Sequence, residues 1–258
     1  MNISFLGVAR ELGATLAVQG SKKVYTLIMA SYKTTGIILR RINFSEADRI
    51  ITFLTPDRGK VEAIAKGVRR INAKLGSHLE LFGEVELMLA RGKNLDVVTS
   101  ARLKTKYDKL TSDYERLRRA FLFCEMINKL TESHTSQQLY NLLRKSLMAL
   151  DGGLQPPLVE LYFKLHLLEE MGHQPHLKTT PAQKYYFSLA AGRVVTNRQA
   201  GAMPLSENEI KLWRLLLDYP LRQIAGFKRV GEAASSSLNI IDHFYDYLFG
   251  KRFKSSEI

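Results

Sequence analysis

The first half of the chain alternates apolar and polar positions in short runs, which is the pattern of β-strands. Five runs lie between Thr34 and Leu103, with turn residues between them. They read TGIILRRINF (35–44), DRIITFLT (48–55), KVEAIAKGV (60–68), EVELMLA (84–90) and LDVVTSARL (95–103). In PDRG, Pro56 favours a turn and Gly59 can take positive φ, so a hairpin is predicted between the second and third strands. Five short antiparallel strands with a longer connection after the third are typical of the OB-fold, a small Greek-key barrel that commonly binds single strands.

From Tyr107 onwards apolar residues recur at spacings of three and four, which indicates helices. Three long ones are predicted, reading YERLRRAFLFCEMINKLTE (114–132), SQQLYNLLRKSLMALDGG (136–153) and PPLVELYFKLHLLEEMG (156–172). Residues 173–205 lose the periodicity and read as an irregular insert with one hairpin, KYYFSL followed by GRVVTN. Ser206 and Glu209 form a capping box before the next helix, and a last helix runs from about residue 231 to 249.

These patterns predict an α+β protein with three parts. The parts are a weakly ordered N-terminal extension (1–31), an OB-fold barrel (32–104) and a helical domain with a hairpin insert (105–258). The extension is no clean signal peptide, because Arg10 and Glu11 interrupt its apolar residues. It is expected to contribute little to the fold, and a short amphipathic membrane tether is the rival interpretation. No run approaches the roughly 20 apolar residues that span a bilayer, so no membrane-spanning segment is predicted.

The charge of the chain narrows the class of partner. The 258 residues carry a net charge of +13, which favours nucleic acid or an anionic membrane surface. Residues 32–104 hold 14 basic and 8 acidic side chains, residues 105–171 hold 9 of each, and residues 172–258 hold 12 and 7. The excess of cations therefore flanks a neutral middle segment, which suggests that this part of the helical domain contacts protein rather than DNA.

The connection AKGVRRINAKLG (65–76) carries four cations and no acidic residue. Cations spread along a sheet and its loops bind a line of phosphates through counterion release. The candidate DNA-binding residues are Arg40, Arg41, Lys66, Arg69, Arg70, Lys74, Arg91 and Lys93. Along the first strand, alternation sends one of the two adjacent arginines outward and the other across the barrel rim. The alternative is that these cations belong to an ordinary solvated surface loop and bind no ligand.

Two further groups have open interpretations. Phe44, Phe53 and Phe82, and also Tyr185, Tyr186 and Phe187 in the insert, either stack on bases or belong to the core. A second basic patch is formed by Lys228, Arg229, Lys251, Arg252 and Lys254, or these are ordinary solvated helix ends.

Enzyme chemistry finds little support in the sequence. The phosphate loop, the G-x-S-x-G elbow and the H-E-x-x-H motif are all missing. Glu170 and His173 have the spacing of a di-iron pair, yet no second pair faces them. The one cysteine, Cys124, lies in an apolar helical run; it suits a buried position and a reducing cytosol. We therefore predict a cytoplasmic protein that is not an enzyme and holds no cofactor or metal.

Several motifs together resemble the RecO family of bacterial recombination mediators, over nearly all of residues 32–255. They are GIILRR (36–41), SEADRIITFLTPDRGK (45–60), AKGVRR (65–70) and LELFG (79–83). The resemblance implies an N-terminal OB-fold followed by a helical domain, with ATP-independent binding of single- and double-stranded DNA and annealing of complementary strands. It also implies work with RecR and the single-strand binding protein to load RecA.

The insert departs from the pattern of many RecO proteins. Those carry four cysteines there, spaced as two C-x-x-C pairs that hold zinc, whereas residues 172–206 contain none. His173 and His176 remain, but two imidazoles are two ligands short of a closed tetrahedral site. We therefore predict a zinc-free insert held by its hairpin and by apolar packing.

The resemblance also implies that the helical region receives the acidic C-terminal tail of the single-strand binding protein. Such a tail needs an apolar pocket rimmed by cations. The candidates are Arg116, Arg119, Phe121, Arg214 and Arg222. The alternative is an ordinary core with a solvated basic edge. At the level of the whole protein, the alternatives to a RecO-type mediator are another basic OB-fold binder, for example of RNA, and a membrane-surface scaffold.

Overall fold

A computed structural model describes residues 30–131, 136–227, 229–250 and 253. The chain divides into two compact units, of which the first ends at Lys106 and the second begins at Tyr107. The predicted N-terminal extension falls almost entirely outside the described residues. None of the described helices is long and apolar enough to cross a membrane.

Five strands of the first unit close into a barrel in the order β1-β2-β3-β5-β4. The strands are β1 (Ser31–Asn43), β2 (Arg49–Thr55), β3 (Gly59–Ala65), β4 (Glu84–Ala90) and β5 (Asp96–Thr105). All pairs are antiparallel except β3 and β5, which is the pairing that closes a Greek-key barrel. The predicted OB-fold is confirmed.

Apolar residues of every strand meet inside this barrel. Ile38, Ile51, Phe53, Leu87 and Leu89 are all fully buried there. Along β4 burial alternates, because successive side chains of a strand point to opposite faces, whereas β1 and β2 each bury a run of consecutive residues. The predicted hairpin between β2 and β3 also forms, and φ of Gly59 is +64°.

Two details of the barrel differ from the expectation. The third strand was predicted to continue to Val68, but β3 ends at Ala65 because Gly67 takes a φ of +65°, which leaves the extended region. In β1 the pairing shifts between Ile38 and Arg40, which leaves Leu39 as an extra, buried residue. Such a bulge changes which face the following side chains occupy.

The second unit packs long helices against one another and buries most of their apolar residues. The helices are α1 (Asp108–Thr111), α2 (Tyr114–Leu130), α3 (Gln137–Asp151), α4 (Pro156–Glu170), α5 (Glu207–Asp218), α6 (Leu221–Ile224) and α7 (Val230–Phe249). The predicted capping box at the start of α5 is present, with Ser206 and Glu209 bonded reciprocally. The short helices α1 and α6 have no counterpart in the sequence-based prediction.

The insert between α4 and α5 forms a small sheet in the order β7-β6-β8. Its strands are β6 (Tyr185–Ser188), β7 (Arg193–Val195) and β8 (Ala202–Leu205). The predicted hairpin corresponds to β6 and β7, and the third strand was not predicted. Phe187 of β6 is fully buried, with its ring centroid 5.4 Å from that of Trp213 and 5.1 Å from that of Phe244. Apolar packing therefore attaches this sheet to α5 and α7.

Candidate nucleic-acid interface

Two connections at one end of the barrel are hydrogen-bonded to each other, and we call them the paired loops. They are the β1–β2 turn (44–48) and the β3–β4 connection (66–83). The Asp48 carboxylate accepts a hydrogen bond from the Gly67 amide at 2.7 Å. The Ala47 carbonyl accepts one from the Arg69 amide at 3.0 Å, and the Arg69 guanidinium donates to the Ser45 carbonyl at 2.9 Å. The start of the long connection is thereby fixed against the turn.

The β3–β4 connection begins as a series of tight turns. The amides of Arg70, Ala73 and Gly76 each donate to the carbonyl three residues earlier, at 3.0 to 3.1 Å. These backbone hydrogen bonds lie within the segment and take the place of pairing with a partner strand. Most side chains of the segment project outward. Val68 and Leu75 are exceptions, since Val68 is buried in the barrel core and Leu75 packs against that core, partly buried.

Arg40 and Arg41 face different surroundings near the same end. Arg40 is exposed, whereas Arg41 is partly buried. The Arg41 guanidinium donates to the Leu79 carbonyl at 3.1 Å and to the Glu80 carboxylate at 2.7 Å. Arg41 therefore ties β1 to the end of the β3–β4 connection, and Arg40 is the arginine that is presented to solvent.

Five exposed cations at this end form what we call the basic cluster. They are Arg40, Lys66, Arg69, Arg70 and Lys74. Within the described part of the chain, no carboxylate forms an ion pair with any of them. These cations therefore remain available to an external anion, which their positive field attracts.

The outer face formed by β1, β4 and β5 has the opposite character. There Glu86 pairs with Lys33 at 3.9 Å and with Arg102 at 2.8 Å, and Glu84 pairs with Lys104 at 3.6 Å. The Arg102 hydrogen bond lowers the pKa of the Glu86 carboxyl, with a further contribution from Lys33. Cations on this face already have protein partners, which singles out the basic cluster.

Arg91 and Lys93 lie at the other end of the barrel. Ser31 at the start of β1 pairs with Ala90, whereas Asn43 at its end pairs with Arg49, so most of β1 separates the two ends. The guanidinium carbons of Arg91 and Arg58 lie 5.9 and 4.1 Å from the centroid of the Tyr32 ring. The eight predicted DNA-binding residues therefore do not form one cluster.

The tyrosine at this second end is a structural residue. The Tyr32 hydroxyl donates to the Asp96 carboxylate, which also accepts from the Gly92 amide at 3.2 Å. Burial and the bond to Asp96 raise the pKa of Tyr32 to about 12, against the opposite effect of Arg58 and Arg91. The arginines are thus packed on a neutral ring that fixes the β4–β5 turn.

The candidate aromatic residues separate into core and surface. Phe53 and Phe82 are buried in the first unit and Phe187 in the second, which assigns all three to cores. Phe44, in the paired loops, is 61% exposed. Tyr185 and Tyr186 are partly exposed on the small sheet. Of the second basic patch, Arg229 is exposed, and its other four residues fall outside the described ones.

The five residues predicted to receive the acidic tail are not brought together. Arg119 is buried and pairs with Glu115 and Glu160. Arg116 is partly buried beside Asp113, and Phe121 is 41% exposed. Arg214 donates to the Leu177 carbonyl. Arg222 is the member of the set that borders a cavity.

This cavity has a volume of about 550 Å³ and lies between α3, α4 and the α5–α6 region. Its wall includes the apolar or aromatic side chains of Met148, Tyr162, Tyr219, Pro220 and Leu221, and the cations Arg144, Lys145 and Arg222. It thus combines apolar surface with a rim of three cations and one carboxylate, Asp218. Arg144 and Lys145 were missed because two adjacent cations on α3 read as an ordinary solvated face. No local pattern in the sequence links them with Tyr219 and Pro220, which lie far along the chain.

The residues considered for metal or nucleophilic chemistry have other roles. Glu170 accepts a hydrogen bond from Ser136 at 3.2 Å, and the His173 ring packs edge-on against Phe249. Throughout the described ranges, no three His, Cys, Asp or Glu side chains are arranged to hold a metal ion. Cys124 is buried, and this burial raises the pKa of its thiol, which disfavours the nucleophilic thiolate.

Comparison with known proteins places both units in one family. Residues 29–107 match the N-terminal domain of Recombination protein O, and residues 111–257 match its C-terminal domain. The DNA repair protein RecO of a Dehalococcoides mccartyi strain is 34% identical over 76% of this chain and 82% of its own. RecO proteins from a Roseiflexus species and from Rubrobacter xylanophilus are 34% and 30% identical, over 78% and 80% of this chain and 75% and 88% of their own. The chain therefore belongs to the RecO family of DNA repair proteins.

Proposed function

We propose that this protein is a recombination mediator that binds single- and double-stranded DNA through the basic cluster. It anneals complementary strands without ATP and acts with RecR and the single-strand binding protein to load RecA in the bacterial cytosol. The observation that carries the proposal is the basic cluster itself, five exposed cations on and beside two hydrogen-bonded loops. Phosphates supply the anionic partner that these cations lack within the described chain.

An annealing assay tests this proposal. Purified protein is expected to accelerate annealing of complementary DNA oligonucleotides in the absence of ATP. The variant Arg70→Gln/Lys74→Gln is expected to anneal more slowly and to bind all DNA sequences less tightly. Loss of two phosphate contacts lowers the slope of log K against log salt by about 1.5.

A matched control removes the same charge from the neutralised face of the same barrel. Lys33→Gln/Arg102→Gln changes the net charge equally, and both of its side chains are paired with Glu86. This control is expected to retain annealing and the salt slope. Equal effects of the two variants would show that only net charge matters. Failure of the wild type to anneal DNA, combined with tight binding of structured RNA, would favour the RNA-binding alternative.

The cavity of the second unit supports a protein partner for the same function. We propose that it receives the acidic C-terminal tail of the single-strand binding protein. The apolar wall around Met148 and Tyr162 accommodates the terminal apolar residue, and the cationic rim pairs with carboxylates. Tyr162 remains a neutral phenol here, because burial and the nearby Glu169 raise its pKa. Of the five residues predicted from the sequence for this role, the proposal uses Arg222.

A further inference from the structure

The paired loops expose apolar side chains to an unusual degree. Ile71 is 102% exposed, and Phe44 is 61% exposed. Ile42, at the end of β1, is also exposed. Single exposed apolar residues are common on protein surfaces, but Phe44 and Ile71 lie on two loops that are bonded to each other. The longer of these loops carries all members of the basic cluster except Arg40.

Neither of the two most exposed side chains is needed to hold the loops in place. Backbone bonds and the side chains of Asp48, Arg69 and Val68 fix the connection. Ile71 lies between Arg70 and Asn72, with its whole side chain in solvent. A polar residue would occupy that turn equally well, so folding does not account for the isoleucine.

The surroundings define the chemistry of a ligand for these side chains. The basic cluster holds phosphates, and a ligand that also meets Phe44 and Ile71 must present apolar faces beside its phosphates. Unpaired nucleobases do so, whereas a duplex keeps the faces of its bases within the stack. Aromatic rings stack on unpaired bases of any sequence. An aliphatic side chain buries its apolar surface against a base face that is free of stacking.

We propose that Phe44 and Ile71 contact the unpaired bases of a DNA strand whose phosphates are held by the basic cluster. This end of the barrel therefore prefers single-stranded to duplex DNA, and the preference comes from base contacts rather than from charge. The inference rests on the proposed function, because it requires DNA at the basic cluster.

The test compares Phe44→Ala/Ile71→Ala with the wild type and with Phe227→Ala. Phe227 is a suitable control because it is 54% exposed and lies in the other unit. Fluorescence anisotropy measures binding of a labelled 20-nucleotide strand and of the same sequence as a duplex. The double variant is expected to bind the single strand roughly ten-fold more weakly. Its duplex affinity, its salt slope and its melting temperature are expected to stay as in the wild type, as are all properties of the control.

A gain-of-signal variant gives an independent reading. In Phe44→Trp the new indole replaces the exposed ring, while the native Trp213 is fully buried and provides a constant background. Addition of an unlabelled single strand is expected to quench the new emission, and no such quenching is expected in the wild type. Unchanged emission at saturating DNA would show that no base stacks on position 44.

The outcomes separate this inference from the proposed function. If Arg70→Gln/Lys74→Gln weakens DNA binding but Phe44→Ala/Ile71→Ala keeps the preference for single strands, the base contacts are refuted and the basic cluster stands. If Phe44→Ala/Ile71→Ala weakens the binding of single strands and of duplex equally, the two side chains do not contact unpaired bases. If the charge variant has no effect on DNA, the proposed interface itself fails.

Discussion

Two neighbouring arginines show how position decides the role of a charge. Arg41 lies 2.7 Å from the Glu80 carboxylate and also donates to the Leu79 carbonyl, so it holds part of the barrel together. Arg40 is exposed one residue earlier and, among the described residues, pairs with no carboxylate. The first contributes to stability, and the second is available to phosphate.

Substitution of the two arginines is therefore expected to affect different properties, namely stability for Arg41 and DNA binding for Arg40. Arg41→Ala should lower the free energy of unfolding by about 1 kcal/mol, because it removes a partly exposed ion pair and a charged hydrogen bond. Arg40→Ala should leave stability unchanged and weaken DNA binding. Urea unfolding and anisotropy titration of both variants check this. A loss of stability in Arg40→Ala with normal DNA binding would contradict the assignment.

At this scale the sequence indicated the chemistry but not the contacts. Alternation predicted that Arg40 and Arg41 point in different directions. Which of them reaches Glu80 depends on the bulge at Leu39 and on the path of the β3–β4 connection, and neither is visible in the residue pattern. Arg91 looked equivalent to Arg70 because both follow a strand in a basic loop; the barrel places them at opposite ends.

Among the elements, α2, α4 and α7 share a buried set of ion pairs. Glu160 of α4 accepts from Lys164 at 2.5 Å and pairs with Arg119 of α2 at 3.0 Å. Lys164 also pairs with Asp242 of α7. Burial alone would raise the pKa of Glu160, but Lys164 and Arg119 outweigh it and hold the pKa below its usual value. Removal of one member leaves buried charge uncompensated.

Glu160→Gln is expected to reduce the free energy of unfolding at pH 7 by about 3 kcal/mol. Because the folded-state pKa of Glu160 is depressed, its contribution is complete above the unfolded value of about 4.5 and is lost as the pH falls through the folded pKa. The difference in the free energy of unfolding between wild type and variant should therefore become smaller as the pH falls. Urea unfolding of both proteins between pH 3 and pH 7 measures this difference. Parallel curves for the two proteins would exclude this role of Glu160.

The insert shows which elements the pattern could predict. Its hairpin was visible because KYYFSL and GRVVTN are rich in β-branched and aromatic residues. The strand β8 was not, because AMPL contains Pro204 and lacks alternation. The long helices were found because apolar residues recur along them at helical spacings, although α4 is buried almost all round rather than on one face. The barrel strands were found because they are short apolar runs bounded by turn residues. The short helices α1 and α6 have too few residues to show a period.

Packing rather than metal is expected to hold the insert. A chelator should leave the melting temperature of the protein unchanged, whereas a structural zinc would make folding depend on the metal. Phe187→Ala should lower the free energy of unfolding by about 3 to 5 kcal/mol, because the ring is fully buried between Trp213 and Phe244. Calorimetry with and without chelator, and metal analysis of the purified protein, check both statements. Stoichiometric zinc would overturn the first.

For the molecule as a whole, the fold class followed from periodicity, and the resemblance identified the family. The cavity in the second unit did not follow, because its wall is assembled from residues far apart in the chain, such as Lys145, Tyr162 and Arg222. The neutral charge of residues 105–171 suggested a protein partner, but Arg116 and Arg119 are engaged with Asp113, Glu115 and Glu160. Tertiary packing places a different set of cations, Arg144, Lys145 and Arg222, around the cavity.

Binding of DNA and of the acidic tail is expected to be separable, because the two proposed sites lie in different units. Lys145→Glu/Arg222→Glu should abolish binding of a labelled tail peptide and leave DNA affinity nearly unchanged, since it puts carboxylates where the peptide needs cations. Arg70→Gln/Lys74→Gln should weaken DNA binding and leave binding of the peptide unchanged. Anisotropy titrations of both ligands against both variants measure this. If Arg116→Glu weakens binding of the peptide while Lys145→Glu/Arg222→Glu binds it normally, the tail lies on α2 and the cavity does not bind it.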